Sequence, residues 1–171
     1  MDANLKAFLD MIAWSEGTTT SPATKCNGYD VIVTGIDRRP EVFTDFSDHP
    51  FAAGRPSKVI NSRGLTSNAS GRYQIMLRDW PHYRKLLDLD NKALYPDGAF
   101  SPPAQDAYAM RQLKEQRAVA DIDAGRIETA IRKCANIWAS FPGANYGQHE
   151  NKMGKLLDAY IKAGGKFGKE A

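Results

Sequence analysis

Residues 5–17 read LKAFLDMIAWSEG, and this stretch predicts how the chain begins to fold. Its apolar side chains recur at the spacing of one helix face: Leu5, Phe8, Leu9 and Ile12. We therefore expect a helix over residues 2–16. Asp2 is a residue type that caps helix N-termini, and Gly17 is the type that most readily follows a helix end in a left-handed conformation.

The carboxylate of Glu16 does not suit this pattern, because it lies one turn after Ile12 on the apolar stripe. Burial against apolar groups disfavours an ionised carboxylate, and so does the negative end of the helix dipole. Both effects raise the pKa toward the range in which a carboxyl donates a proton near neutral pH. The position predicts a general acid. The alternative is a solvated glutamate at a helix end, with no function.

Downstream of residue 26 the chain changes from a helical to a β pattern and back. YDVIVTG (29–35) is rich in β-forming residues and EVFTDF (41–46) alternates, which predicts an antiparallel hairpin across the DRRP turn. Residues 47–72 are polar and lack periodicity, which favours a functional loop. Asp79 and Ser101 are the expected N-caps of the helices that follow. Those helices are predicted over residues 79–89, 102–118, 126–139 and 149–163. This order indicates an α+β fold.

The composition limits the class of protein. The 171 residues suit one domain or two small lobes, and 42% hydrophobic with 25% charged residues predict a packed core. A net charge of +3 is too small to indicate nucleic-acid binding. No membrane span or secretory signal is evident, so we expect synthesis in the cytoplasm. Cys26 and Cys134 are expected to be free thiols, with one disulfide as the alternative, and no metal-ligand spacing is present.

Two later segments carry the residue types that bind sugars. SNASGRYQIM (67–76) surrounds Tyr73 and Gln74 with small residues, and NIWASFPGANYGQ (136–148) combines aromatic, amide and glycine residues. Aromatic rings stack on sugar rings, and amides hydrogen-bond N-acetyl groups. With one raised-pKa carboxylate, these types suggest cleavage of a glycosidic bond. In the alternative interpretation, Tyr73 and Trp138 are core residues and the glycine-proline stretch is an interhelical turn.

Five segments, in chain order, resemble the phage endolysin family of lambda-type lysozymes: KAFLDMIAWSEGT (6–18), NGYDVIVTG (27–35), FTDFSDHP (43–50), SGRYQ (70–74) and NIWASFPGANYGQ (136–148). The similarity extends over nearly the whole chain. It implies a lysozyme-like α+β fold, in which a helical lobe and a small antiparallel β-sheet lobe flank a sugar-binding cleft.

The resemblance also implies the organisation of the chain. We expect one catalytic domain over residues 1–171, without a separate wall-binding domain. Its β-rich lobe is expected over approximately residues 27–75, and its helical lobe over residues 1–16 and 77–165.

For the site, the resemblance implies that Glu16, in the WSEG motif, is catalytic in a lytic transglycosylase that forms 1,6-anhydro-MurNAc ends. One lip of the cleft corresponds to the PGANYGQ loop and the other to residues 47–66. The candidate substrate-binding residues are Ser70, Tyr73, Gln74, Asp30, Asp45, Asn136, Tyr146 and Gln148.

The sequence also allows two other functions. Another family of phage lysozymes is hydrolytic and uses Glu, Asp and Thr at short fixed spacing. Its Asp would fall nine residues after Glu16, where this chain has Lys25. A hydrolase would therefore need Asp30 or Asp45 as the second carboxylate. Each of these could instead cap a turn or bind backbone amides. A peptidoglycan-binding module without catalysis is the remaining alternative.

The expected partners follow from the same resemblance. The substrate would be the glycan strands of peptidoglycan, and no cofactor, metal, nucleic acid or membrane insertion is implied. We expect a monomer that is made in the host cytoplasm and acts in the periplasm, where its access depends on a holin.

Overall fold

The computed structural model describes residues 2–145 and 150–168. The chain divides into two compact units. The first contains Met1–Glu16 and Ala109–Ala171, and the second contains Gly17–Tyr108. The described residues form helices and short strands, which confirms the predicted α+β class. The helices are α1 (Ala3–Ser15), α2 (Trp80–Leu86), α3 (Pro102–Glu115), α4 (Val119–Asp123), α5 (Ile127–Cys134) and α6 (Met153–Lys162).

Helix α1 forms the centre of the first unit and has both predicted ends. The Asp2 carboxylate accepts a hydrogen bond from the backbone N–H of Asn4 at 2.8 Å, as an N-cap does. Glu16 is the C-cap, and Gly17 follows with a φ of +72°. The helix packs against α6 and α4, so most of its side chains are buried.

Helices α5 and α6 complete the core of the first unit. The predicted periodicity of α5 is confirmed, because four of its residues are buried: Ile127, Ala130, Ile131 and Cys134. Trp138 is also buried, and its ring lies 5.7 Å from that of Phe141, so the interpretation of Trp138 as a core residue is confirmed. Cys26 and Cys134 are both free.

The second unit contains two short antiparallel hairpins. Strand β1 (Val31–Ile32) pairs with β2 (Glu41–Val42), which confirms the first predicted hairpin with shorter strands. Strand β3 (Lys58–Val59) pairs with β4 (Thr66–Ser67), inside the segment predicted to be a loop. Two-residue strands are too short to produce an alternating pattern, which is why the second hairpin was missed.

The two helix caps predicted in the second unit are wrong in their chemistry. Asp79 precedes α2, but its carboxylate makes no capping bond and faces Arg78 at 3.5 Å. Its backbone is already helical, whereas a capping residue needs an extended backbone to turn its side chain toward the first N–H groups. Ser101 precedes α3, and its buried hydroxyl has no hydrogen-bond partner among the described residues.

Candidate active site

Glu16 lies at the end of α1, where its backbone N–H still donates to the Ile12 carbonyl at 2.9 Å. The Ser140 hydroxyl donates to Oε1 of its carboxyl at 2.6 Å. Burial raises the pKa of Glu16 to about 7, and the hydroxyl and backbone N–H of Ser140 partly oppose this increase. The residue as a whole is half-buried, so the carboxyl with this near-neutral pKa belongs to a side chain that is not fully enclosed by the core.

A line of hydrogen bonds continues from Ser140 away from the carboxyl. The Ser140 hydroxyl lies 2.7 Å from the Ser15 hydroxyl. The side-chain amide of Asn151 donates to the Ser15 hydroxyl at 3.1 Å and to the Ser15 carbonyl at 3.2 Å. The backbone N–H of Asn151 also donates to the Ser140 carbonyl at 2.8 Å. The Glu16 carboxyl is therefore bound by Ser140, and Ser140 is held in turn by Ser15 and Asn151. The sequence analysis selected none of these three residues.

The segment between α5 and α6 is itself held by a carboxylate. Glu150 accepts hydrogen bonds from the backbone N–H groups of Gly143 at 2.9 Å and Asn145 at 2.8 Å. The same two N–H groups lower the pKa of Glu150. Asn136, a predicted substrate-binding residue, is exposed in this region. The predicted residues Tyr146 and Gln148 lie outside the described residues.

In the second unit, the predicted site segment SGRYQ is largely internal. Ser70 is 0% exposed and Tyr73 is 2% exposed, so neither side chain offers a surface for sugar contact. This burial disfavours direct sugar contact by Ser70 and Tyr73, and their role in sugar binding stays a prediction. Gln74 is half-buried, has a φ of +51°, and donates through Nε2 to the Gly71 carbonyl at 3.1 Å.

The Tyr73 hydroxyl has a structural partner instead. It donates to Oδ1 of Asp106 at 2.6 Å, and the hydroxyl of Tyr29 donates to the same oxygen at 2.7 Å. The guanidinium of Arg72 lies over the Tyr29 ring, 5.0 Å from its centre. Burial, together with the Asp106 charge, raises the pKa of both phenols, so both remain protonated donors.

The close approach of the Gln105 side chain to the backbone explains the glycine in SGRYQ. Gly71 has a φ of +76°, and a Cβ there would lie 2.2 Å from Oε1 of Gln105. That oxygen accepts the backbone N–H of Arg72 at 2.8 Å. Nε2 of Gln105 donates to the carbonyls of Tyr29 at 3.0 Å and Phe100 at 2.8 Å. The buried Gln105 therefore fixes the segment on α3.

Asp30 and Asp45 both make local bonds. Asp30 is 4% exposed and accepts from the Thr24 hydroxyl at 2.5 Å and the Lys25 backbone N–H at 2.8 Å. Asp45 is exposed and accepts from the backbone N–H of Ser47 at 2.8 Å, and bonds from Ser47 lower its pKa. The alternative interpretation, in which both bind backbone amides, matches these contacts.

Comparison with known proteins decides the family. A family model described as Endolysin matches residues 6–167. This chain belongs to the endolysin family. The endolysin is 58% identical over 162 residues to the Endolysin of Escherichia phage P2, covering 95% of this chain and 93% of that protein. It is 48% identical over 161 residues to the Endolysin of Escherichia phage lambda, covering 94% of this chain and 90% of that protein.

The solved structures agree with the fold. The endolysin matches bacteriophage lambda lysozyme complexed with a chitohexasaccharide, with a TM-score of 0.84 and 46% identity, over 98% of this chain and 97% of that one. The predicted lysozyme-like fold is thereby confirmed, and the protein is a lysozyme-like enzyme of peptidoglycan degradation.

Within residues 2–145 and 150–168, no group of three or more His, Cys, Asp or Glu side chains is arranged to hold a metal ion. Over the same described ranges, every helix is too short or too polar to cross a membrane.

Proposed function

We propose that this endolysin cleaves the β-1,4 bond between MurNAc and GlcNAc by lytic transglycosylation, with Glu16 acting first as acid and then as base. The pKa of about 7 supports this proposal, because a carboxyl with that value both holds and accepts a proton near neutral pH. A glycan substrate is supported by the similar lambda lysozyme, which forms a complex with a chitohexasaccharide.

In the first step, protonated Glu16 donates its proton to the glycosidic oxygen while the bond from that oxygen to C1 of MurNAc breaks. Positive charge develops at C1. The C6 hydroxyl of the same MurNAc then attacks C1, and its proton passes to the Glu16 carboxylate. The products are a 1,6-anhydro-MurNAc end and a GlcNAc with a free 4-hydroxyl. No water is consumed, and intramolecular attack lets orientation supply much of the rate.

Partly or fully exposed side chains contact the substrate in this proposal. Gln74 and Asn136 are exposed enough to hydrogen-bond the sugars, and we assign the same role to Tyr146 and Gln148 from the family resemblance. In this proposal the substrate does not contact Asp30, Ser70 or Tyr73. Asp30 binds the turn at Thr24 and Lys25, and Ser70 and Tyr73 pack in the interior of the second unit.

Hydrolysis with a second carboxylate is the main competing function. A retaining hydrolase needs its two carboxyl groups about 5 Å apart, and an inverting one about 6.5–9.5 Å apart with a water between them. The candidates are Asp30 and Asp45. The bonds of Asp30 to Thr24 and Lys25, and of Asp45 to Ser47, favour local structural roles over this one.

Product analysis separates these functions. Mass spectrometry of muropeptides from digested sacculi should show anhydro-MurNAc ends, one water lighter than reducing ends. Glu16→Gln should reduce the rate at least about 1,000-fold, since the acid and base are lost together. Glu128→Gln, on an exposed α5 surface pair with Arg132, is the matched control and should retain activity. Reducing ends would establish hydrolysis, and wall binding without any cleavage by the unsubstituted protein would establish a binding module.

The proposed substrate, peptidoglycan, places the reaction in the periplasm. The endolysin is made in the host cytoplasm, acts as a monomer on periplasmic peptidoglycan, and reaches it through a membrane opened by a holin. Purified protein added to intact Gram-negative cells should therefore cause no lysis, whereas cells with a permeabilised outer membrane should lyse.

A further inference from the structure

We infer that Asn151 is a positioning residue that acts through Ser15 and Ser140, fixing the direction of the hydrogen bonds that end on Glu16. Its consequence for catalysis rests on the proposed role of Glu16. The inference about hydrogen-bond direction rests on the geometry of the first unit alone.

The orientation of the Asn151 amide follows from the Ser15 carbonyl. That carbonyl belongs to the last turn of α1, where the helix supplies no N–H partner for it. A carbonyl oxygen only accepts, so the Asn151 atom 3.2 Å away must be the donor Nδ2 and not Oδ1. A flipped amide would place two carbonyl oxygens against each other.

The direction then continues through both serines. Because Nδ2 donates to the Ser15 hydroxyl at 3.1 Å, the Ser15 proton is free to point to the Ser140 hydroxyl 2.7 Å away. Ser140 in turn donates to Oε1 of Glu16 at 2.6 Å. In the opposite direction, the Ser15 proton would have no acceptor within this network.

This direction has a consequence for the acid. Oε1 of Glu16 receives the Ser140 proton in both ionisation states, so the exchangeable proton resides on Oε2. Asn151 also binds the Ser140 carbonyl through its backbone N–H at 2.8 Å, which holds the final donor in place. A single residue outside the motifs thus fixes both the position and the polarity of the network.

Asn151→Asp tests the inference, because aspartate has nearly the same shape but cannot donate. Its carboxylate should accept the Ser15 proton and reverse the chain, so that Ser140 turns its proton toward Ser15 and away from Glu16. The pKa of Glu16 should then rise by about one unit, as expected for the loss of a bond to a charged acceptor. The measurement is a ¹³C NMR titration of the labelled Glu16 carboxyl without substrate.

The effects of added charge are controlled separately. Burial and Ser140 are the causes acting on the pKa of Glu16, and no charged side chain in the described part of the chain is among them. Glu150, on the segment that carries Asn151, is bound by backbone N–H groups. Lys152→Gln changes the net charge by the same amount one residue away, at an exposed position, and should leave the Glu16 titration unchanged.

A double substitution separates transmission through Ser15 from a direct field effect. In a Ser15→Ala background, Asn151→Asp should shift the Glu16 titration by much less than it does alone. An equal shift in both backgrounds would overturn the inference, and so would an unchanged titration in folded Asn151→Asp. If Asn151→Asp does not fold, Asn151→Ala serves: a smaller rise supports the inference, and an unchanged titration overturns it.

Activity gives an independent readout. Asn151→Asp should lower kcat with little change in KM, and Asn151→Gln, which keeps an amide donor, should retain more of the rate than Asn151→Asp does. A shifted titration with the anhydro product missing from the unsubstituted enzyme would refute the proposed function and leave the network intact. An anhydro product together with an unshifted titration in Asn151→Asp would support the proposed function and refute the inferred role of Asn151.

Discussion

Glu16 occupies a position that disfavours folding once its carboxyl ionises. Its pKa in the folded protein is about 7, above the ordinary value of 4.5 expected in the unfolded chain. Between these two values the folded state binds more protons than the unfolded state does. The contribution of Glu16 to stability is therefore complete below pH 4.5 and is lost as the pH rises through 7.

Replacing this carboxyl should stabilise the protein at alkaline pH. Glu16→Gln should raise the free energy of unfolding by about 2 kcal/mol at pH 8, less than the full shift implies because the residue keeps some exposure, and by little at pH 4.5. Chemical denaturation at both pH values measures the difference. Glu128→Gln, at an exposed site, should show no such gain at pH 8. A Glu16→Gln gain that is the same at both pH values would contradict a buried carboxyl.

Because Tyr73 is buried, its replacement should affect stability rather than substrate binding. Tyr73→Phe should lower the free energy of unfolding by about 1–2 kcal/mol, since Asp106 loses one of two phenol donors. The KM for peptidoglycan should not change. Denaturation and initial rates test this, with Tyr29→Phe as the matched variant that removes the other donor. A raised KM with unchanged stability would instead indicate that Tyr73 contacts the sugar.

The residues of the site differed in how far the sequence could identify them. Glu16 could be selected as a candidate because its misfit is visible within a single helix. Ser15 and Ser140 lie inside motifs that were noticed, but their hydrogen bond joins positions 125 residues apart. Asn151 lies 136 residues from Ser15, and nothing in its local sequence distinguishes it from a surface asparagine.

Among the elements, length and caps determined what could be predicted. Helix α1 has 13 residues, a clear period and two capping signals, so its limits were predicted within one residue at each end. The second hairpin was missed because its strands have two residues each, and its turn depends on Asn61. The Asn61 side chain accepts from the backbone N–H groups of Arg63 and Leu65, both at 3.0 Å.

Gly71, in the SGRYQ segment, lies too close to the Gln105 side chain for a larger residue. Gly71→Ala should destabilise the protein by about 2–3 kcal/mol, because it combines a left-handed backbone with a Cβ placed 2.2 Å from Gln105. Gly64→Ala is the matched control, with a φ of +79° and open space around it, and should cost about 1 kcal/mol. Thermal unfolding compares the two. Equal losses would show that Gln105 moves aside.

For the whole molecule, composition predicted a packed core and excluded few classes of protein. The family was predictable because several uncommon motifs occur in the right order, and membership is confirmed. The choice between transglycosylation and hydrolysis was not predictable in the same way. It depends on whether a sugar hydroxyl or a water lies near C1 of the bound substrate, and that is a property of the complex rather than of any stretch of sequence.

The cause of the raised pKa of Glu16 determines how the activity should respond to salt. Dissolved salt screens interactions between charges, but burial and a serine set the proton affinity of this acid. The pH at half-maximal activity should therefore stay within about 0.2 units between ~20 and ~300 mM NaCl, while the rate at fixed pH falls as attraction between a +3 protein and an anionic wall weakens. A midpoint that moves with salt would reveal an ionic partner. If Glu16 has its proposed role, the proton affinity of the acid stays constant while the electrolyte concentration around the protein changes.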